Sequence, residues 1–327
     1  MKLLISILTL LLSFNAYTAD WYVATNGTGG GASWADATHD LQDAITSCAS
    51  NFTVWVSNGI YVTNLTVGGG VTVRSKDTDP LTVIFDGGGV DRVITNEASS
   101  WIAGITISNG YIVSYPREGA GIQNGNIVRC IVKNNVADGS NGGGLDNGYA
   151  YSCLFITNIA TGADGNAAYG SFLYNCTIVR NEGYNTGLRA CVVWNCISYY
   201  SPGDQNITDY YSDGILAYGA GIYTGPGSIY LDPRFVSGDD FNLQDNSPCV
   251  NRGTNFTWMT DSGDVRSKDL LGNDRIHSNS VKVDMGAYES PYLDPKLIIY
   301  LFTTSLNTVA GSSSNILNGR VDFMPAE

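Results

Sequence analysis

The stretch "VRCIVKNN" (residues 128–135) returns in altered form as "YSCLFITN" (151–158), "YNCTIVRN" (174–181) and "WNCISYYS" (194–201). Each copy has a large apolar residue two places before a cysteine, and the first three place asparagine five residues after it. The cysteines Cys130, Cys153, Cys176 and Cys196 are 23, 23 and 20 residues apart. A period in this range is read as a repeat architecture before any other fold. Gly121-Ile122, Gly144-Leu145, Ala167-Ala168 and Gly187-Leu188 follow the same register, as do Asn135, Asn158 and Asn181. One repeat earlier, "IAGITISN" puts Gly104 in the cysteine column and Asn109 in the asparagine column, on an offset of 26.

These units lack the 3.6-residue periodicity of helical repeats and the leucine ladder of leucine-rich repeats. They are rich in Gly, Asn and β-branched residues. The architecture that remains is an all-β parallel β-helix, in which each repeat winds one coil of three short strands and the coils stack by main-chain hydrogen bonds. Position n of one coil then sits on position n of the next. The cysteines form a file of small apolar side chains, and the asparagines a file of hydrogen-bonding amides. Seven cysteines in an exported chain ordinarily suggest disulfides. Stacking argues for free thiols, although a bridge between neighbouring coils fits the strand spacing. Strict alternation puts positions −2, 0 and +2 around each cysteine inside the coil. Positions +1 and +3 are also apolar (Ile131, Leu154, Ile156, Val179, Ile197). That outer face needs a cover, and the C-terminal segment is the preferred one.

Composition agrees with this fold. The 327 residues include 39 Gly and 20 Tyr, only 14% are charged, and the formal net charge is −13. Such acidity with no basic stripe excludes a nucleic-acid backbone as partner. The N-terminal "MKLLISILTLLLSFNAYTAD" has the lysine, short apolar run and small residues of a secretory signal peptide, expected over 1–19. No later segment has the length and apolarity of a transmembrane helix. The mature β-helix domain is expected over 20–289: an N-terminal cap over 20–50 whose helix is capped by Ser33, coils over 51–230 and a closing segment over 231–289. A tail follows over 290–327.

At the level of motifs, "GGGLDNG" (142–148) with "LFITNIATG" (154–162), carrying Phe155 and Asn158, resembles the paired Gly-Gly and Phe-x-x-Asn motifs of polymorphic outer-membrane-protein repeats. "WYVATNGTGGGASWADATHDLQDAI" (21–45) resembles the start of secreted bacterial right-handed β-helix proteins of the pectin-lyase-like superfamily. The run over 231–289, "LDPRFVSGDDFNLQDNSPCVNRG…DLLGNDR…VDMGAYE", is similar to the closing segment of choice-of-anchor Q surface proteins. The resemblance spans about residues 20–289 and implies export and a right-handed helix, with little about chemistry. No outer-membrane barrel sequence follows, so autotransport is not expected.

A catalytic set is harder to find. Glycoside hydrolysis needs two facing carboxylates, yet Asp146 shares its column with Gln123, Tyr169 and Arg189. An eliminating lyase needs a base and a cation. Lys133, Arg180 and Arg189 are the basic candidates on the repeats, each also readable as a solvated charge. Asp239, Asp240, Asp261 and Asp264 lie on turns and could serve Ca2+, though turn formation alone accounts for them. Asp284 and Glu289 with Arg252 or Arg275 are read as pins of the closing segment. Loop tyrosines Tyr115, Tyr184, Tyr199, Tyr200, Tyr210 and Tyr211 could stack on sugars, or cover apolar surface. The leading expectation is a secreted or cell-surface protein that binds glycans or mediates adhesion without catalysis. The alternative is a polysaccharide lyase or glycoside hydrolase.

Overall fold

A computed structural model describes residues 20–77, 79–113, 118–161, 165–183, 187–199, 212–213, 216–218, 229, 231–276 and 282–291. The expected signal peptide and most of the expected tail lie outside them. Every sheet is parallel, and neighbouring strands are one coil apart in sequence. The first sheet has nine strands from Trp21–Val23 to Ser212–Asp213, and the second has eight from Gly59–Val62 to Leu216–Tyr218. A third has six, from Leu65–Val67 to Leu188–Arg189. The chain is a right-handed parallel β-helix. Its middle coils carry a fourth strand as well as the three expected, giving a small sheet of Tyr111–Val113, Val136–Asp138 and Ile159–Ala160.

The register puts the cysteines in one file. Val128, Tyr151, Tyr174 and Trp194 pair in succession on one side of them, and Ile131, Leu154, Thr177 and Ile197 on the other. All seven cysteines are free and buried. Burial holds the Cys153 and Cys196 thiols well above their ordinary pKa. The amide file is a continuous chain of bonds. Asn135 Nδ2 donates to Asn158 Oδ1 and Asn158 Nδ2 to Asn181 Oδ1, both at 2.9 Å. Each of these asparagines also donates to a carbonyl of the preceding coil: Ile107, Val132 and Phe155. All three are fully buried, so each amide exchanges water for fixed partners, at about 0.5–1.5 kcal/mol net per bond.

Asn109 does not belong to this file. Ile107 pairs with Val132 and Ser108 with Lys133, so Asn109 matches Asn134, and Gly110 occupies the file position. The Gly110 amide donates to Asn135 Oδ1 and ends the ladder. The same one-residue shift aligns Gly104 with Arg129 and leaves Ile105 level with Cys130. This coil is 25 residues long, not 26, because motif matching cannot see a one-residue difference in a bend.

The expected alternation also fails on one side of the cysteine. Arg129, Ser152, Asn175 and Asn195, at position −1, all have φ between 50° and 55°. A left-handed residue turns the chain through the corner between the first and second sheets and resets which side faces in. Ile127, Ala150, Leu173 and Val193 are therefore inside with the cysteines. Val128, Tyr151, Tyr174 and Trp194 face outward. There the rings stack, Tyr151 on Tyr174 at 5.0 Å and Tyr174 on Trp194 at 4.6 Å. The edges of Phe256 and Trp258 meet them.

Residues 231–276 and 282–289 cover the outer faces of the first two sheets. Phe235, Phe241, Leu270, Ala287 and Tyr288 pack on Ile131, Leu154 and Val179. Leu243, Cys249 and Met285 pack on Ile197. The apolar +1 and +3 positions thus have the expected cover. Arg275 is fully buried at the centre of the closing segment. Its guanidinium donates to Ser152 Oγ, the carbonyls of Gly286, Ala287 and Asn175, and Glu289 Oε2 at 3.4 Å.

At the other end, Leu41–Ser47 is helical and buries Leu41, Ala44 and Ile45 over the first coil. Its cap is Asp40, whose carboxylate accepts from the Asp43 amide; Ser33 makes no capping bond. Trp34–Asp36 forms a single 3-10 turn, and Thr38 then bridges Val23 of the first strand. That pairing keeps residues 37–39 extended, so the helix cannot start until Asp40.

Candidate functional site

The +3 column of the second sheet runs Ser108, Lys133, Ile156, Val179, Tyr199. Its early members are covered or only partly exposed. Its last two border a cavity of about 470 Å3 between the sheet and the closing segment. The far wall is a short hairpin in which Phe235 pairs with Leu243, placing Phe235, Phe241 and Gln244 opposite Tyr199. The Tyr199 ring meets Phe235 edge-on at 5.5 Å, and Phe235 meets Phe241 edge-on at 5.3 Å. Arg234 and Asp232 complete the rim, with Asp232 accepting from the Arg234 amide in an Asx turn.

Arg180 forms the lip of this cavity. It belongs to a corner column, Asn134, Thr157 and Arg180, all with φ between 51° and 56°, which projects its side chains outward. Its guanidinium lies 5.9 Å from the Phe241 ring centre and bonds Asp239 Oδ1 at 3.0 Å and the Gly238 carbonyl. The Arg180 and Asp239 side chains are 43% and 93% exposed, so the pair is worth no more than about 1 kcal/mol and leaves the arginine available to a ligand. A second recess of about 310 Å3 adjoins it, lined by Asn134, Val136, Thr157, Ile159, Glu182 and Arg180 again. Arg180 therefore joins two hollows into one groove across the coils. Apolar rings flanked by a few fixed polar groups are the usual lining of small-molecule sites.

The other sequence candidates lie apart. Asp146 is fully buried in the third sheet, in register with Gln123 and Tyr169, with Arg189 one coil further. Its Oδ2 accepts from Asn147 Nδ2, and its Oδ1 has no hydrogen-bond partner. Burial pushes its carboxyl up to about 6; Glu118 adds to this and Asn147 and Arg92 oppose it. Motif reading missed Glu118 and Arg92, which lie on neighbouring coils. Arg92 grips the Glu118 and Gly119 carbonyls, and Asn141 holds the Glu118 carboxylate. With no exposed surface, Asp146 cannot touch a polymer.

The four turn aspartates are engaged locally. Asp240 accepts from Asn242, Asp239 meets Arg180, Asp261 accepts from the Gly263 amide, and Asp264 is held by Arg266. Arg266 keeps the Asp264 carboxyl below its ordinary value against the burial that would raise it. Among the described residues no cluster of three or more His, Cys, Asp or Glu could hold a metal ion. Tyr115, Tyr184, Tyr200, Tyr210 and Tyr211 lie outside the described residues. No described helix is long and apolar enough to cross a membrane.

No family model and no curated protein matches the chain. Among solved structures it is similar to pectate lyase Pel9A, with 12% identity over 83% of this chain and 96% of that one, at a TM-score of 0.38. It is also similar to the pectin methylesterase from Aspergillus niger, with 14% identity over 65% of this chain and 83% of that one, at 0.37. Pectin methylesterase PemA from Erwinia chrysanthemi matches at 12% identity over 69% and 75%, at 0.34. At such scores the likeness carries nothing about chemistry. The parallel register, coil upon coil, is what establishes the chain as a parallel β-helix.

Proposed function

We propose that this chain is an exported, surface-associated β-helix protein that binds polysaccharide without cleaving it, along the groove beside the closing segment. The supporting observation is the union of Tyr199, Phe235 and Phe241 with Arg180 and Arg234 in one cavity of about 470 Å3. Rings offer sugar C–H faces a stacking surface, and guanidiniums offer hydroxyl and carboxylate groups directed donors. Of the side chains that the lyase or hydrolase reading offers (Lys133, Asp146, Arg180 and Arg189), the one carboxyl, Asp146, is sealed from the surface.

Affinity electrophoresis of the purified protein through gels containing neutral and uronate polysaccharides tests the proposal. Retardation by at least one polymer is expected, relieved by Tyr199→Ala and Arg180→Ala, with no new reducing or unsaturated ends in the same samples. Unretarded migration on every polymer, or turnover that survives purification, contradicts it.

A further inference from the structure

A second recess lies on the other covered face. The outward column of the first sheet runs Trp55, Arg74, Ala103, Val128, Tyr151. Bulky residues on either side leave a gap where Ala103 and the corner Gly104 fall. The closing segment bridges this gap without filling it, leaving a cavity of about 150 Å3. That volume holds roughly five waters at ~30 Å3 each, or one tetrahedral or planar oxyanion.

Three cations line the recess: Arg74, Arg129 and Lys268. The carboxylate that also lines it, Asp264, is taken by the Arg266 fork at 2.9 and 2.5 Å. Lys268 pairs with Asp274, and Arg129 Nε donates to the Asp269 carbonyl. Arg74 stands differently. It lies 5.0 Å from the Trp55 ring centre, and among the described residues no carboxylate or carbonyl accepts from it. Burial pulls both guanidiniums below their ordinary pKa; for Arg129, Asp269 opposes this and the Arg74 charge adds to it. In a chain of net charge −13, a half-buried guanidinium facing other cations across a gap offers directed, charge-assisted donors to an anion.

We propose that this recess is an oxyanion-binding site, taking one sulfate or carboxylate group between Arg74, Arg129 and Lys268. The group could be a free ion or a substituent on a sugar. The site is independent of the groove beside Tyr199.

Calorimetric titration at constant ionic strength in chloride tests it, using the intact protein with sodium sulfate, sodium acetate, a sulfated monosaccharide and glucuronate. Saturable binding of one anion per chain is expected, weakened at least tenfold by Arg74→Gln. That variant should keep its anion-free melting temperature, because among the described residues Arg74 makes no hydrogen bond to the closing segment. Lys268→Met should weaken binding too, and Tyr199→Ala should leave it unchanged. Tighter binding of the sugar-borne group than of the bare ion would assign the site to a glycan substituent; the reverse order would assign it to a free ion. No saturation above chloride with any of the four, or undiminished binding in Arg74→Gln, overturns the proposal.

Discussion

Two corners of the same coils are built on opposite rules. At one, Asn135, Asn158 and Asn181 are identical and bond one another. At the other, Arg129, Ser152, Asn175 and Asn195 share a left-handed backbone but no common residue; Asn195 Nδ2 meets Asn175 Oδ1 at 3.3 Å, yet all four also bond outward. Arg129 Nε donates to the Asp269 carbonyl and Ser152 Oγ to the Lys268 carbonyl. Asn175 Nδ2 donates to the Asp284 carbonyl and Asn195 Nδ2 to the Thr254 carbonyl. Sameness stacks coils; difference gives the closing segment one seat and one register. The groove and the anion recess both lie where that segment meets the sheets, the recess at the second corner beside Arg129 and the groove beside Arg180 at the first.

The largest effect should come from the clamp on the second corner. Arg275→Met strips the Gly286 and Ala287 carbonyls and Ser152 of their donor, and should cost about 1–3 kcal/mol for each buried group left without a partner, read in urea unfolding. If the corners are independent, limited proteolysis of this variant should remove the closing segment before the coils are cut. The same cluster sets a pH dependence. Burial, then the Asp284 charge, pushes the Glu289 carboxyl up to about 9 against the pull of Arg275. The folded state therefore keeps a proton that the unfolded chain loses near about 4.3. Its contribution to stability is complete below that pH and is lost as pH rises through about 9. Unfolding midpoints should fall between about pH 5 and 9, and Glu289→Gln should flatten the fall; a midpoint rising with pH would contradict this.

The first corner should give the next largest loss. Asn158→Ala removes bonds to Val132 and Asn181 and deprives Asn135 of its acceptor, for about 1–3 kcal/mol. Cleavage should then spread through the coils. Tyr174→Ala, which breaks the outer ring stack, should cost about 0.5–1.5 kcal/mol per lost ring pair beyond the area exposed. The smallest effect belongs to the lip of the groove: Asp239→Asn should change stability by less than about 1 kcal/mol while altering retardation by uronate polymers.

What could be read beforehand follows the same division. Like residues at a fixed period announce themselves, so the coil, the cysteine file and three of the four expected asparagines were legible. The left-handed corner carries an interrupted signal: Gly104, Asn175 and Asn195 suit φ > 0, but Arg129 and Ser152 between them do not. Strict alternation runs straight through it and puts Tyr151, Tyr174 and Trp194 inside, where the structure turns them outward. Asn109 was misplaced because a coil one residue shorter leaves the motif intact. At the groove, Arg180 and Tyr199 could be nominated from the repeats. Phe235, Phe241 and Arg234 join them only through docking of a distant segment, which no local pattern encodes. Ala103 and Gly104 read as ordinary strand and bend residues, yet their small size opens the anion recess.

A double-mutant cycle on the amide file tests the stacking most directly. Asn135→Ala and Asn158→Ala, singly and together, should show a coupling energy of about 0.5–3 kcal/mol, as bonded neighbours do. Additivity within about 0.3–0.5 kcal/mol would mean that the two amides do not touch, and that these coils do not lie in the register described.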